Sequence, residues 1–529
     1  MLEMRKILHQ YYPLLALVIV FLIYSTPYVL QSPLCSVHLW RQTDSLSFCR
    51  YYYENGLKFF DTGIQAYLFK DFESNKTIGE FPIVYYLTAC IWKITGENLW
   101  VLRVITLTLF SMALYSTFSA FRLLGVSRFY STFSLILVCT SPAVVIYSTN
   151  FLPDMHAISI SLIASFFYIR FVFFQRIAHW WISLLLFCLA ALIKPTAVIP
   201  FGVIGLLWIL DITNLFRLKT RQLFPSLMMT IVGFSLVFIV NAVYLLWVEH
   251  YNQTYGGWFT PNAIFTPWNQ PQEDINRYLE MAPYFLFPKV FSASMFLFLG
   301  ASLLIVFIDR NKETILSRLV LLFTLIGSVA YILLFFKWDV HDYYSLALLP
   351  FPLIILATLY FRIKTIQFTS AKRIAAALGV ALISFNVFYA SQHVQLRYAP
   401  KHRKNYSLVT NTKEAELMKY HSWYHAEHFR AFDNIESELN RLGITREVKV
   451  ISMPDESFQA SLFMMHRKGW TGGQKDNFTK EGIKRKIDRG AQFLLINDYQ
   501  RACNMGLDTL FIGTPIDTIQ NILVYRLRE

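Results

Sequence analysis

Residues 38–50, HLWRQTDSLSFCR, set Arg41 and Asp44 three positions apart on an amphipathic helical stretch, with Trp40 beside them. A carboxylate placed so can take a proton from a hydroxyl, and a guanidinium one turn away keeps it ionised or binds an anion. A surface i,i+3 ion pair accounts for the same two residues without any chemistry. Residues 79–86, GEFPIVYY, put Glu80 just ahead of an apolar segment opened by Pro82. Glu80 could contact substrate hydroxyls there, with Tyr85 and Tyr86 as stacking faces, or it could only favour a helix start. In 149–156, TNFLPDMH, Asp154 and His156 could bind a metal or orient a substrate. An Asp after Pro153 is equally a good helix cap.

Two lysines complete the set. Lys194, in ALIKPTAVI, is the one charge in an apolar stretch. It suits a phosphate at a membrane edge, and snorkelling to headgroups explains it as well. FKWDVHDYY concentrates Lys337, Asp339, His341, Asp342, Tyr343 and Tyr344, but has no i,i+4 histidine pair, so no metal site is expected. His421, His425 and His428 do have helical metal spacing. They fall on a polar helix, and an exposed face is the expectation. The six cysteines show no metal-type spacing; Cys35 and Cys49 share one segment and are placed to pair or to act as apolar filler.

The elements that must hold these residues are membrane helices. The chain has 529 residues, 55% hydrophobic and only 16% charged, with mean hydropathy +0.41. Soluble domains carry about 25% charged residues, so composition excludes an ordinary soluble enzyme. Hydrophobic runs lie near 11–30, 99–121, 129–148, 156–175, 179–193, 196–210, 224–248, 288–308, 319–336, 343–361 and 374–391. The run 81–94 is short of the ~20 residues a crossing needs.

Charge sidedness chooses the register. With a cytoplasmic N-terminus and 81–94 not crossing, 16 basic residues fall on inner segments and four, Lys194, Arg277, Lys289 and Lys337, on short outer connections. That is the positive-inside pattern, and a crossing by 81–94 would invert it. The expectation is eleven crossings, with the C-terminus outside. The net charge of +14 is therefore largely topological, and no basic face interleaved with aromatics points to nucleic acid. Of the 18 carboxylates in 1–391, 14 fall outside, in the first outer loop 31–98, the long outer loop 249–287 and shorter connections.

Residues 392–529 read as an α/β domain that follows the polytopic membrane domain, residues 1–391. Helices are expected at 412–441, 456–468 and 479–489, and strands at 447–452, 491–496 and 521–527.

The order of these clusters resembles the GT-C superfamily of polyprenyl-phosphate-sugar glycosyltransferases, in the bacterial branch related to protein O-mannosyltransferases and the lipid A aminoarabinose transferase. WRQTDS around Asp44 matches that family's acidic residue on a first-loop juxtamembrane helix, and GEFPIVYYL its Pro-led aromatic segment. SPAVVIYSTNFLPD with Asp154, LIKPT with Lys194, and HDYYSLALLPFP follow in the family's order. One departure is that relatives often carry a basic residue before the proline, where this chain has Glu80-Phe81-Pro82. VISMPDESFQASLFMMHRKGW looks like the outer domain of some members, whose role the resemblance leaves open.

The resemblance implies an α-helical multi-pass membrane protein of GT-C type in a bacterial inner membrane, with the tail periplasmic. It implies transfer of a sugar from a polyprenyl-phosphate carrier to a lipid, glycan or protein hydroxyl at the outer face. Asp44 would be the general base and Asp154 a second catalytic carboxylate. Arg41, Glu80, Tyr85, Lys194, Lys337, His341 and Tyr343 would bind substrate. No cofactor is required, and a divalent cation is compatible. A transporter or flippase of lipid-linked sugars is the competing class, opposed by the scarcity of mid-membrane charge and of inverted repeats. In a cysteine-free background, Ser127→Cys is expected to label from the cytoplasmic side and Gly257→Cys from outside; the reverse pattern overturns the register.

Overall fold

Apolar side chains that point outward need a non-aqueous neighbour, and this chain has rows of them. Leu236, Phe238, Ile239, Val243 and Leu246 are all exposed on helix Leu227–Tyr255, as hydrocarbon contact demands. The computed structural model describes residues 2–34, 37–213, 222–257, 266–283, 287–308, 315–334, 341–364, 369–398, 409–410, 412–472, 479–504 and 514–527. Among them, seven helices are long and apolar enough to cross a membrane: Leu99–Leu123, Pro153–Phe174, Pro195–Ile212, Leu227–Tyr255, Ile315–Leu334, Asp342–Lys364 and Arg373–Tyr398. Five shorter apolar helices include Ile83–Thr95 and Ile177–Ile193. The chain is a multi-pass membrane protein.

Several apolar runs break where backbone chemistry requires it. The run 129–148 divides into Arg128–Val138 and Pro142–Tyr147, with Ser141 capping the second piece through Val144 N. Helix Ile177–Ile193 ends at Lys194, which is extended, and the proline after it cannot continue the hydrogen-bond ladder.

Helix Pro153–Phe174 is central. It packs between Leu99–Leu123 and Ile177–Ile193, and small buried residues, Ala157, Ser161 and Ala164, allow the close approach. Ser183 Oγ donates to the Ala164 carbonyl at 2.8 Å. Thr106 Oγ1 bonds His156 Nε2 at 2.7 Å. His156 is thereby committed to a neighbouring helix. Residues two apart on a helix do not face each other, so Asp154 and His156 point away from one another. Among the described residues no group of three or more His, Cys, Asp or Glu is disposed to hold a metal ion.

The segment before the first long crossing folds against the ends of these helices. Arg103, 1% exposed, donates to the carbonyls of Val29 at 2.8 Å and of Ser32, and lies 4.6 Å from the Phe151 ring centre. A buried cation is tolerable there because it meets the negative end of helix Thr26–Gln31 and an aromatic face. Asn252, at the far end of Leu227–Tyr255, brackets Ile78 by accepting from its N–H at 3.0 Å and donating to its carbonyl at 2.7 Å. Helix Leu39–Asn55 was expected to be amphipathic, yet Gln42 through Tyr52 are all buried. Its polar face is covered by the tail. Cys49 is buried with a free thiol, and Cys35 lies outside the described residues.

The tail builds one sheet. Strands β1 Lys449–Met453, β2 Lys468–Trp470, β3 Phe493–Ile496, β4 Asp517–Ile519 and β5 Ile522–Arg526 stand in the order β2-β1-β3-β5-β4. β1 pairs in parallel with β2 and β3; β5 is antiparallel to β3 and β4. β1, β3 and β5 fall on the expected strands, whereas β2 and β4, three residues each, are too short to show a period. The expected helix 412–441 is three pieces, Thr412–His428, a turn at Arg430–Phe432 and Glu436–Arg441, because Phe429, Phe432 and Ile435 turn into the core. The three histidines are half-buried, not exposed as expected, since Met418 of the same helix packs with Val37 and Leu396.

The tail is docked onto the first loop and not merely tethered. Tyr67 N donates to the Gly469 carbonyl at 2.7 Å, and Gly469 N to the Gln65 carbonyl at 3.3 Å, so loop residues extend the free edge of β2. Trp470 Nε1 donates to the Phe72 carbonyl, Lys468 pairs with Glu54 at 3.2 Å, and Arg489 pairs with Asp71 and Glu73. Gly469 has φ +156°, and a Cβ there would overlap the Val450 carbonyl of the adjacent strand. Gly469→Ala is expected to destabilise this junction by ~2–4 kcal/mol. Limited proteolysis should then cut the tail at protease concentrations that spare the wild type.

Candidate active site

Four segments far apart in sequence bring their charges together where the first loop meets the helix ends. Arg41, on the first turn of Leu39–Asn55, forms an ion pair with Glu80 through Nη2 and Oε1. Lys194 Nζ lies 3.5 Å from the same Glu80 oxygen. One carboxylate therefore serves two cations. Both cations are largely buried, with side chains 18% and 19% exposed, so Lys194 does not snorkel to a headgroup. Phe81 N bonds the Leu192 carbonyl at 3.1 Å, which fixes the Glu80 segment to the end of the helix that carries Lys194. Burial works to raise the Glu80 carboxyl, but Arg41 and Lys194 outweigh it and hold it below the usual carboxylate range.

Asp44 lies one turn beyond Arg41, yet its hydrogen-bond partner is Gln459 of the tail, whose Nε2 donates to Oδ1 at 3.0 Å. The surface i,i+3 ion pair is not formed; Asp44 is 4% exposed. Burial pushes its carboxyl up to about 6, against the opposing pull of Arg41 and the Gln459 amide. Asp154, on the first turn of Pro153–Phe174, is buried with Oδ2 unpartnered. It stands within electrostatic reach of Lys194 and Arg41. An unpartnered carboxylate oxygen beside two cations is suited to a hydroxyl donor from a ligand.

The other expected residues are placed as follows. The Tyr85 ring stacks on Phe48 at 5.5 Å, and its hydroxyl lies 3.4 Å from Ser45 Oγ, so one of its faces is already covered. His341 Nδ1 bonds the Tyr343 hydroxyl at 2.9 Å, and Tyr343 and Tyr344 are within electrostatic reach of Arg41 and Asp154. Lys337 and Asp339 lie outside the described residues.

Beside this cluster is a hub that the sequence motifs do not reveal. Asp342 Oδ1 bonds His38 Nε2 at 2.8 Å and accepts from the Tyr147 hydroxyl, while Oδ2 faces Lys289 and Arg397, each at 3.4 Å. Arg397 Nη2 also donates to the Tyr147 hydroxyl at 3.2 Å. His38 and Tyr343 meet edge to face at 5.1 Å, which links the hub to the first cluster. Against the turn Asp342–Leu348, an apolar cavity of about 270 Å³ is lined by Val144, Phe291, Leu299, Leu303, Ser345 and Pro352 among others.

Over nearly its whole length the chain superposes on aminoarabinose transferase ArnT from Cupriavidus metallidurans in the apo state, at TM-score 0.58 and 12% identity, covering 97% of this chain and 98% of that one. The two chains share a fold. The same ArnT bound to undecaprenyl phosphate superposes at TM-score 0.55 and 12% identity, over 98% of both chains. An oligosaccharyltransferase from Archaeoglobus fulgidus, in complex with Zn and sulfate, gives TM-score 0.52 and 12% identity over 94% of this chain and 71% of that one. No family model matches the chain, and no curated protein matches it.

In this chain the Asp342 hub is the joint that sets His341, Tyr343 and Tyr344 beside the cluster. Asp342→Asn strands two buried cations, an uncompensated arrangement that costs about 3–5 kcal/mol. A marked fall in melting temperature of the purified protein is expected, with a smaller one for His38→Ala.

Proposed function

We propose that the protein is a membrane glycosyltransferase that moves a sugar from a polyprenyl-phosphate carrier to an acceptor hydroxyl, at the outer face of a bacterial inner membrane. The observation that carries this reading is the pair of buried cations, Arg41 and Lys194, sharing Glu80 beside the buried carboxylate of Asp44. ArnT, with the same fold, has been crystallised with undecaprenyl phosphate, and the oligosaccharyltransferase with a tethered acceptor peptide. The topology that goes with it has eleven crossings, a cytoplasmic N-terminus and the tail outside.

In the reaction Asp44 removes the acceptor proton as the oxygen attacks the anomeric carbon. The bond from that carbon to the phosphate oxygen breaks on the opposite side, so configuration inverts. The donor is a phosphodiester with one negative charge, and the departing monoester carries a second. That second charge is the one Asp44 loses on protonation, so the reaction moves a charge across the site and creates none. Arg41 and Lys194 stand where the charge arrives, and a preset cation there costs no reorganisation in the transition state. Glu80 keeps both cations in place before the donor binds. Asp154, through its unpartnered oxygen, orients a sugar hydroxyl. The apolar cavity against the Asp342–Leu348 turn suits a portion of the prenyl chain.

The test uses membrane vesicles with their own pool of lipid-linked sugars and follows polyprenyl phosphate released by mass spectrometry. Asp44→Asn is expected to lower release ~100- to 10,000-fold. The active form is the carboxylate, so wild-type release should rise with pH through a midpoint near 6. At pH 5 about a tenth of Asp44 is ionised. Undiminished release by Asp44→Asn removes Asp44 as the base. Lipid-linked sugar that crosses the vesicle membrane without a new glycoside indicates a flippase.

A further inference from the structure

Among the described residues, the sheet-bearing part of the tail hydrogen-bonds to Asp44 through Gln459. Gln459 is fully buried, and each end of its amide is committed. Its Oε1 accepts from Ser47 Oγ at 2.6 Å and from the Gln65 N–H at 2.9 Å. Two donors on one end fix the oxygen there, so the NH₂ end must face Asp44. The backbone under Gln459 is held as tightly. The Asp455 carboxylate accepts from Ser457 N, Ser461 N and Ser461 Oγ, and Gly472 N closes on the Asp455 carbonyl. Phe463 N bonds the Gln459 carbonyl at 2.8 Å. Arg50 locks the next turn, donating to the Phe463 carbonyl at 2.5 Å while stacking 3.7 Å from that ring and pairing with Glu97.

We propose that Gln459 is a positioning residue for the reaction, by which the C-terminal domain orients the Asp44 carboxylate and keeps it ionised. The proposal rests on the reading of Asp44 as general base. Its bond to Oδ1 leaves Oδ2 as the oxygen that takes the acceptor proton. An N–H donor also favours the charged form of a carboxylate that burial would otherwise protonate. The charged groups acting on Asp44 are Arg41, on its own helix, and Glu80, from the segment across from it. Arg41 is already shared with Glu80, so the uncharged amide from the tail is the contact made to Asp44 itself. This gives the stretch MPDESFQAS a role in the chemistry and makes the site incomplete without the tail.

The test is infrared titration of the full-length protein in lipid nanodiscs. The Asp44 band is isolated by difference against the same protein carrying Asp44→Asn. Gln459→Glu keeps the acceptor end that holds Ser47 and Gln65 but replaces the donor with an oxygen. Gln459→Met removes both ends at similar length. In each, the Asp44 midpoint is expected to rise by about one pH unit or more. Polyprenyl phosphate release in vesicles should then fall about fivefold at pH 6 and recover by pH 8, in kcat more than in KM. Lys468→Ala, which loosens docking away from Asp44, should move neither midpoint nor profile. An unmoved midpoint in the folded Gln459 variants overturns the proposal, as does an equal shift in Lys468→Ala. A raised midpoint with unchanged release leaves the hold of Gln459 on Asp44 standing and overturns the base reading beneath it.

Discussion

A carboxylate between two cations, at the end of an apolar bundle, is the arrangement on which the rest of this structure depends. Removing any of these three charges from water is costly, and the cost is met only if each finds a partner where the chain places it. Glu80 has to reach both Arg41 and Lys194, so the first loop must bend back onto the end of the helix before Pro195. The bond from Phe81 N to the Leu192 carbonyl and the Asn252 clamp on Ile78 make that path rigid. The Asp342 hub repeats the solution nearby, with Lys289 and Arg397 on one oxygen and His38 and Tyr147 on the other. Both sets of paired charges knit helices whose lipid-facing sides offer no specificity.

The same constraint explains why a polar helix is buried. Leu39–Asn55 carries Thr43, Asp44, Ser45, Ser47 and Arg50, all out of solvent. Lipid cannot cover such a face, and water would leave Asp44 an ordinary acid. The tail supplies a cover with matching donors and acceptors: the Gln459 amide for Asp44 and Ser47, and the Phe463 carbonyl for Arg50.

What was legible from the residues alone follows the same division. Asp44, Arg41, Glu80, Lys194 and Asp154 stood out because charge at the edge of an apolar run is costly enough to be noticed, and the structure gathers all five. Their pairing was not legible. Arg41 and Asp44, three apart, suggested each other, and each found its partner elsewhere, Glu80 thirty-nine residues on and Gln459 in the tail. Gln459 is uncharged and sits in an ordinary loop, so nothing local marks it. Lys289 was counted for topology and Arg397 fell in the stretch read as the tail, so nothing in the sequence showed that they converge on Asp342. β2 and β4 are held by tertiary pairing, which three residues cannot signal through periodicity. The half-buried His421, His425 and His428 show the same limit, since a polar helix can be covered by a neighbour that its own pattern does not announce.

The docking of Gln459 on Asp44 also has a consequence in time. The chain is made from its N-terminus, so Asp44 has left the ribosome hundreds of residues before Gln459 exists. During that interval the helix Leu39–Asn55 has its polar face open and its carboxylate undressed. A protein caught midway through synthesis therefore holds that carboxylate in an unfinished pocket, and a segment made hundreds of residues later is the one that completes it.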